Sequence, residues 1–589
     1  MSSLDRPSLD VAIDGQWHRV PEGLTVAAAI DLAGTPPTRR SVSGDPRGPL
    51  CGMGSCFECR VTLDGQAHRL ACQEVCVDGL RIETGSRQTG SRQTGSRQTG
   101  SRQTGSRQTG SHQAGAAPRP SVEPYPLPPT QPKKRSQPRP TPTPSPTPTE
   151  TWEVVVVGAG PAGVAAAVHA AEHGRRVALV DATHGPGGQI WRRDRSVSNG
   201  VAKALRPWVE RLRRAEVTIL TNTRVVDAQG AGSEAPGRFV LLAESSGTPR
   251  RFSTDRLVLA TGARERLLPF PGWTLPGVTG AGGLQALLKG GASVAGRSVV
   301  VAGSGPLLLV VAAEVRKRGG RVVALAEQAP WGRVARLASG LLGRPGKLAE
   351  LARLAPGLLG VRPRWGTWPV AALGGDRLEA VVLRSASGRQ RTVPADLLAC
   401  GWGLVPEIRL GQLLGLSVDA TGRLVVDERQ ETSTPGIFAV GETTGIGGAE
   451  RSLAEGTIAG LAAAEVAVPG SLRRRRARQH RFAEALDRTF VLRPELAELP
   501  DPGTVVCRCE DVAWGQLQDF DDPRQAKLQT RCGMGPCQGR VCGPALEHLL
   551  GWRPAPPRSP IEPTSLAVLA QAGDSREPHC GDGESFEES

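Results

Sequence analysis

From Leu9 the chain alternates apolar and polar residues through Ile13, breaks at Asp14-Gly15 and alternates again through Val20. A period of two on either side of an Asp-Gly pair predicts two strands joined by a tight turn. Over Leu24–Leu32 the apolar spacing becomes helical, and Arg60–Leu63 with Gln66–Leu70, split by Asp64-Gly65, predicts a second hairpin. Residues 1–84 therefore read as a small α+β unit. Periodicity stops there. Thr84–Gly110 repeats TGSRQ and residues 118–149 are proline-rich, so 85–150 is expected to be a disordered linker that buries no core. A chain of that length spans roughly 45 Å, a leash rather than a rigid connection.

Beyond residue 150, apolar strand-like runs alternate with helical spacing and carry glycine at the turns, the pattern of a doubly wound α/β fold. Residues 151–290 and 401–470 read as two parts of one dinucleotide-binding unit around a second such unit at 291–400. Residues 471–502 predict a basic helical connector, 503–553 a compact cysteine-bearing module, and 554–589, proline-rich and then acidic, a mostly disordered tail. No apolar run reaches the ~18 residues that span a bilayer. The first ten residues lack the basic and apolar segments of a secretory leader, so the cytoplasm is expected, with membrane association only through partners.

The 589 residues carry a net charge of +15. Most of that excess lies in 85–150 and in the arginines from Arg473 to Arg481, which leaves the folded parts nearly neutral. Aromatics are only 4% and do not interleave with basic residues, so a nucleic-acid groove is excluded. Cysteine changes the picture more. Ten of the 12 cysteines fall in two clusters, Cys51–Cys76 and Cys507–Cys542, while Cys400 and Cys580 stand alone. Clusters of this kind in a cytosolic chain point to metal or redox chemistry rather than to disulfides.

Cys51, Cys56, Cys59 and Cys72 are spaced C-x4-C-x2-C-x12-C. Three thiolates from one loop and a distant fourth are how plant-type ferredoxins, β-grasp proteins built on such hairpins, hold a 2Fe–2S cluster. Gly52 and Gly54 let the backbone wrap close to sulfide. Structural zinc also takes four thiolates, but usually in paired spacing. Cys76 reads as a bystander.

Val154–Val157 runs into Gly158, Gly160 and Gly163 and then an alanine-rich helix. In G-x-G-x-x-G the first glycine turns the chain, the second admits a pyrophosphate and the third packs helix on strand. Asp181 ends the next strand and is placed to accept from ribose hydroxyls. Leu257–Ala260 leads into Thr261-Gly262, a turn typical of two-dinucleotide-domain flavoproteins. Thr434–Glu442 resembles their late flavin strand, with Gly441 followed by Glu442 where aspartate is commoner. Gly303 and Gly305 open a second strand–turn–helix, but Leu308 replaces its third glycine, and Glu327 disfavours a 2′-phosphate. This unit either binds NAD or is a retained, empty insert. No cysteine pair lies near either turn, which argues against a disulfide reductase.

Cys507 and Cys509 form a C-x-C, and Cys532, Cys537 and Cys542 follow. The module resembles bacterioferritin-associated-ferredoxin-like 2Fe–2S domains, although its later pair is C-x4-C and five cysteines compete for four positions. We take Cys507, Cys509, Cys537 and Cys542 as the ligands; zinc is the alternative.

Taken in order, PLCGMGSCFECRV, VVVVGAGPAGVAAA, ATGARERLLPFPGWTLPGV, VAGSGPLLLVVA, AVGETTGIGGAE and TRCGMGPCQGRVC resemble the electron-transfer subunits of amine oxidoreductases. That family holds hydrogen cyanide synthase, opine oxidase and the α-subunits of sarcosine oxidase and dye-linked proline dehydrogenase. The resemblance implies a two-dinucleotide-domain flavoprotein flanked by the two 2Fe–2S domains. It also implies a nucleotide slot filled by FAD, or alternatively NAD or another adenine nucleotide. The expected partners are a glycine/D-amino-acid-oxidase-like flavoprotein that oxidises the amine and a downstream electron acceptor. No catalytic residue is assigned in this chain. The other readings are a stand-alone NAD(P)H-dependent reductase and a non-catalytic nucleotide-binding scaffold.

Overall fold

The computed structural model describes residues 7–34, 37–85, 147–197, 200–230 and 238–571. The TGSRQ repeats, the proline-rich stretch to Pro146, Cys580 and the acidic end lie outside the described residues. In the N-terminal unit, Ser8–Ile13 and Gln16–Pro21 pair antiparallel about Asp14-Gly15, both left-handed with φ of 49° and 83°, as a tight hairpin turn requires. Thr25 caps the Val26–Leu32 helix by accepting from the Ala28 N–H at 3.3 Å. The strand Arg81–Glu83 slots between Ser8–Ile13, to which it is parallel, and Arg60–Leu63. That completes a five-stranded β-grasp sheet.

The first body sheet stacks Thr218–Leu220, Val177–Val180, Thr149–Val157 and Thr248–Leu259 in parallel, with Ile437–Ala439 beside the last. Thr223–Gly230 and Phe239–Ser245 extend it antiparallel. A second parallel sheet orders Val278–Thr279, Leu397–Trp402, Ser298–Ser304, Arg321–Glu327 and Pro363–Trp365. Ala263–Glu265 and Leu404–Pro406 pair antiparallel and join the two sheets. Among the described residues no helix is long and apolar enough to cross a membrane.

Two expectations need correction. The boundary at 290 falls too late: Val278–Thr279 already belongs to the second sheet, and Leu284 and Leu288 of the Ala281–Lys289 helix pack on Val299 and Val301. Gly280, Gly282 and Gly283 at the start of that helix admit close approach; a Cβ on Gly283 would lie 2.2 Å from the Leu50 carbonyl oxygen. The tail, too, is structured as far as Gln571. The Ile561 N–H donates to the Val226 carbonyl at 2.9 Å, and Val568 is buried with Val226 and Leu242. Proline forbids regular ladders but not extended packing.

Side-chain contacts seat the N-terminal unit on the body. Its residues Leu50, Phe57 and Leu80 share one apolar core with Trp273, Trp368 and Val506. Arg192 donates to the carbonyls of Gly52 at 2.8 Å and Cys72 at 3.1 Å, and Arg297 pairs with Asp31 at 2.8 Å.

Candidate functional site

The three glycines of the first turn have three distinct environments. Gly158 is left-handed (φ 106°), and a Cβ there would lie 2.2 Å from the Ala260 carbonyl oxygen; one on Gly163 would lie 1.8 Å from that of Gly158. A Cβ on Gly160 would meet nothing within 4 Å. Turn and packing thus fix two positions, and the third faces open space. Asp181 does more than wait for a ribose. One carboxylate oxygen accepts from the Ala159 N–H at 2.6 Å, and the other from the Thr183 N–H and hydroxyl at 2.7 and 2.6 Å, so it braces the turn.

The Thr261 hydroxyl donates to the Glu407 carbonyl at 2.5 Å, and Gly262 is left-handed at φ 76°. Gly441 is left-handed (φ 72°), and its N–H donates to Glu455 at 2.9 Å. Burial raises the Glu442 pKa, against a hydrogen bond from Gly448 and the charge of Arg451. Arg451 and Glu455, both buried, pair at 2.7 Å, and Arg451 also donates to the Thr444 and Gly445 carbonyls at 3.0 and 2.9 Å. Sequence reasoning missed this pair. Its signal was an i,i+4 Arg–Glu couple in the otherwise small and apolar helix Gly448–Ala463.

The second turn repeats the scheme with one change. Gly303 is left-handed and tight against the Gly401 carbonyl, where a Cβ would sit at 1.8 Å, and Gly305 faces open space. Leu308, in place of the third glycine, is buried among Leu284, Val299 and Val311 and fills the helix–strand seam. Glu327 accepts from the N–H groups of Gly305 at 2.7 Å and Ala329 at 2.8 Å. Burial outweighs those bonds and raises it to about 7. A cavity of about 2170 Å³ has Gly305, Glu327, Trp365, Glu442, Cys532 and Cys542 among its lining residues.

In the N-terminal unit the thiols of Cys51 and Cys56 face each other, as do those of Cys59 and Cys72. Two pairs suit two irons. The Met53 and Glu58 N–H groups point at the Cys51 and Cys56 sulfurs at 3.4 and 3.5 Å. Hydrogen bonding from Cys56, with lesser bonds from the Ser55 hydroxyl and the Met53 N–H, lowers the Cys51 pKa despite its burial. Cys76 stands apart, its thiol raised to about 12 by burial. In the C-terminal module the sulfurs of Cys507, Cys532 and Cys542 all lie within 4.8 Å of one another, and Cys509 faces Cys537. The fold gathers all five cysteines, Cys532 included. Arg39, Arg47, Arg508 and Arg540 are buried around the two cysteine sets. That is the setting a buried, negatively charged cluster needs.

Residues 152–467 match the pyridine nucleotide-disulphide oxidoreductase family, and residues 6–87 match the 2Fe-2S iron-sulfur cluster binding domain. The chain belongs to that oxidoreductase family. Hydrogen cyanide synthase subunit HcnB of Pseudomonas protegens is 33% identical over 70% of this chain and 97% of its own length. An opine oxidase subunit of Rhizobium meliloti is 35% identical over 68% and 92%. The structure of L-proline dehydrogenase from P. horikoshii superposes with a TM-score of 0.62 at 18% identity, covering 96% of this chain and 98% of its own, which shows the shared fold. This protein is therefore an iron–sulfur flavoprotein oxidoreductase that depends on FAD. The matched region holds no cysteine pair. The only cysteine in 152–467 is Cys400, buried in the Leu397–Trp402 strand with its thiol pKa raised by burial.

Proposed function

We propose that this chain is the electron-transfer subunit of an amine or amino-acid dehydrogenase or oxidase of the opine, glycine, sarcosine or proline type. It would work beside a glycine/D-amino-acid-oxidase-like flavoprotein and pass electrons to a downstream acceptor. The observation that carries this reading is the match to HcnB and to the opine oxidase polypeptide over nearly their whole lengths, both of them subunits by name. FAD, when bound, can trade electrons in pairs with an organic donor and singly with an iron–sulfur centre.

The residues present fit those groups. Gly158, Gly160 and Gly163 would seat the pyrophosphate at the N-terminus of the Pro161–Ala171 helix, whose free N–H groups favour its charge. Asp181 would serve the ribose, Thr261 and Gly262 would border the flavin, and Gly441 with Glu442 would hold its ribityl end. Cys51, Cys56, Cys59 and Cys72 would hold one 2Fe–2S cluster. Cys507, Cys509, Cys537 and Cys542 would hold a second, with Cys532 at hand for one of those positions.

A second reading is favoured by the cavity beside Gly305 and Glu327, a site that NAD could occupy. An NADH-dependent reductase would then result, and rapid bleaching of the flavin by NADH would select it. The test of the first reading is dye reduction with glycine, proline, sarcosine and opines. The purified chain is expected to give none, and activity is expected once a glycine-oxidase-like flavoprotein is added. Substrate-saturable dye reduction by the single chain would overturn the assignment.

A further inference from the structure

The two cysteine sets, more than 400 residues apart in sequence, meet through the residues that lie between their own ligands. Glu58 sits between Cys56 and Cys59, and Arg508 sits between Cys507 and Cys509. Arg508 Nη2 reaches Glu58 Oε2 at 3.3 Å, and both side chains are 1% exposed. Arg39 closes the contact. Its Nη2 donates to Glu58 Oε1 at 2.9 Å and to the Arg508 carbonyl oxygen at 3.1 Å.

A second bridge runs alongside. Phe57, next to Cys56, carries the Arg540 guanidinium 5.8 Å from its ring centroid, and Arg540 lies between Cys537 and Cys542. Outside these, Arg47 pairs with Asp511 at 2.8 Å, and Asp511 also accepts from the Ser43 N–H at 2.9 Å. Trp273 of the body wedges the joint: Arg508 stacks 4.8 Å over its ring and donates to its carbonyl at 2.8 Å, while its indole N–H donates to the Val505 carbonyl at 2.6 Å.

Buried ion pairs seldom stabilise a fold more than apolar residues of the same volume would, because desolvation consumes the Coulombic gain. What they do well is fix register. Here the register they fix is that of one ligand loop against the other. The ferredoxin unit therefore does not merely rest on the body; it presents the Cys56–Cys59 loop to the C-x-C turn.

We propose that the two cysteine loops form one redox unit. The Glu58–Arg508 pair holds them face to face so that an electron crosses directly between the clusters they bind. One electron moves, one cluster is oxidised as the other is reduced, and no bond or proton changes hands. The inference rests on the reading of residues 503–553 as a 2Fe–2S module. Glu58 is a positioning residue, and its carboxylate, shared by both loops, also lowers the potential of both clusters.

The test uses the full chain, reconstituted anaerobically with iron and sulfide and reduced stepwise with dithionite. Four irons per chain are expected. At full reduction the electron paramagnetic resonance signals of the two clusters should broaden and split through spin–spin interaction. That interaction should be lost in Cys509→Ser, which keeps only the N-terminal cluster. Glu58→Gln should raise the midpoint potentials of both clusters together, and Glu58→Asp should restore them. Four irons with a spectrum that is the plain sum of two independent clusters would overturn the inference alone, as would a Glu58→Gln shift confined to one cluster. Two irons per chain would overturn the C-terminal cluster itself and the inference with it. Should Glu58→Gln lose iron, the spin interaction in the unaltered chain decides the matter.

Discussion

Gly160→Ala and Gly163→Ala lie three residues apart in one turn and should fail in opposite ways. At Gly163 an added Cβ would stand 1.8 Å from the Gly158 carbonyl oxygen and 3.1 Å from the Ala260 Cβ. Both neighbours directly follow strands of the first sheet and are hydrogen-bonded to it, so the helix must move off its strand by about 1 Å, an overpacking cost of about 1–3 kcal/mol. At Gly160 the backbone is extended (φ −71°, ψ −178°) and nothing lies within 4 Å of the new carbon. The only charge against it is a poorer helix N-cap, about 0.5–1 kcal/mol. That carbon does, however, take the space left for the pyrophosphate, and flavin affinity should fall at least tenfold, about 1.4 kcal/mol. Urea denaturation of the flavin-free proteins, followed by circular dichroism, reads the first effect. Flavin content after purification and fluorescence titration with FAD read the second. Gly163→Ala should unfold at markedly lower urea, whereas Gly160→Ala should unfold close to the parent yet bind flavin poorly. Full flavin occupancy in Gly160→Ala, or equal destabilisation of both, would refute the reasoning.

Cys72→Ser should strip iron from the N-terminal cluster while Cys76→Ser leaves it, as counted by iron analysis and visible absorbance; the reverse would move the fourth ligand. Because the sulfurs of Cys507, Cys532 and Cys542 lie within 4.8 Å of one another, Cys532→Ser should retain the C-terminal cluster and Cys542→Ser should lose it or fall back on Cys532 with an altered resonance spectrum. Glu327, raised to about 7 by burial, holds its proton longer in the folded chain than in the unfolded one. Its contribution to stability is full below about pH 4.5 and lost as pH rises through 7, roughly 3 kcal/mol in all. Glu327→Gln should therefore lose less stability than the parent between pH 5 and 8 in urea melts, and equal losses would contradict the assignment.

What could be read from the sequence was what is local. The two hairpins, the Val26–Leu32 helix and both strand–turn–helix units follow from periods of two or 3.6 residues and from glycines whose φ or packing leaves no choice. The Arg81–Glu83 strand left no such trace, since three residues cannot show a period, yet it fills the centre of the β-grasp sheet. Charge misled more than hydrophobicity. An arginine between two cysteines looks like any solvated cation, and nothing within ten residues of Arg508 announces a partner at Glu58. Asp181 was placed correctly at its strand end, but its bond to the Ala159 N–H depends on how two segments cross, which one-dimensional spacing does not encode. Cys532 entered the C-terminal set for the same reason.

The buried joint between the ligand loops carries a consequence for how this protein is made. Iron and sulfide are delivered to cysteines by other proteins, which need access to the loop. Once the N-terminal unit is seated, Cys51, Cys56, Cys59 and Cys72 are all buried, as are Cys507 and Cys509 across from them. Loading of iron and sulfide therefore requires this joint to open, and reconstitution of the unloaded chain should quicken under conditions that loosen it.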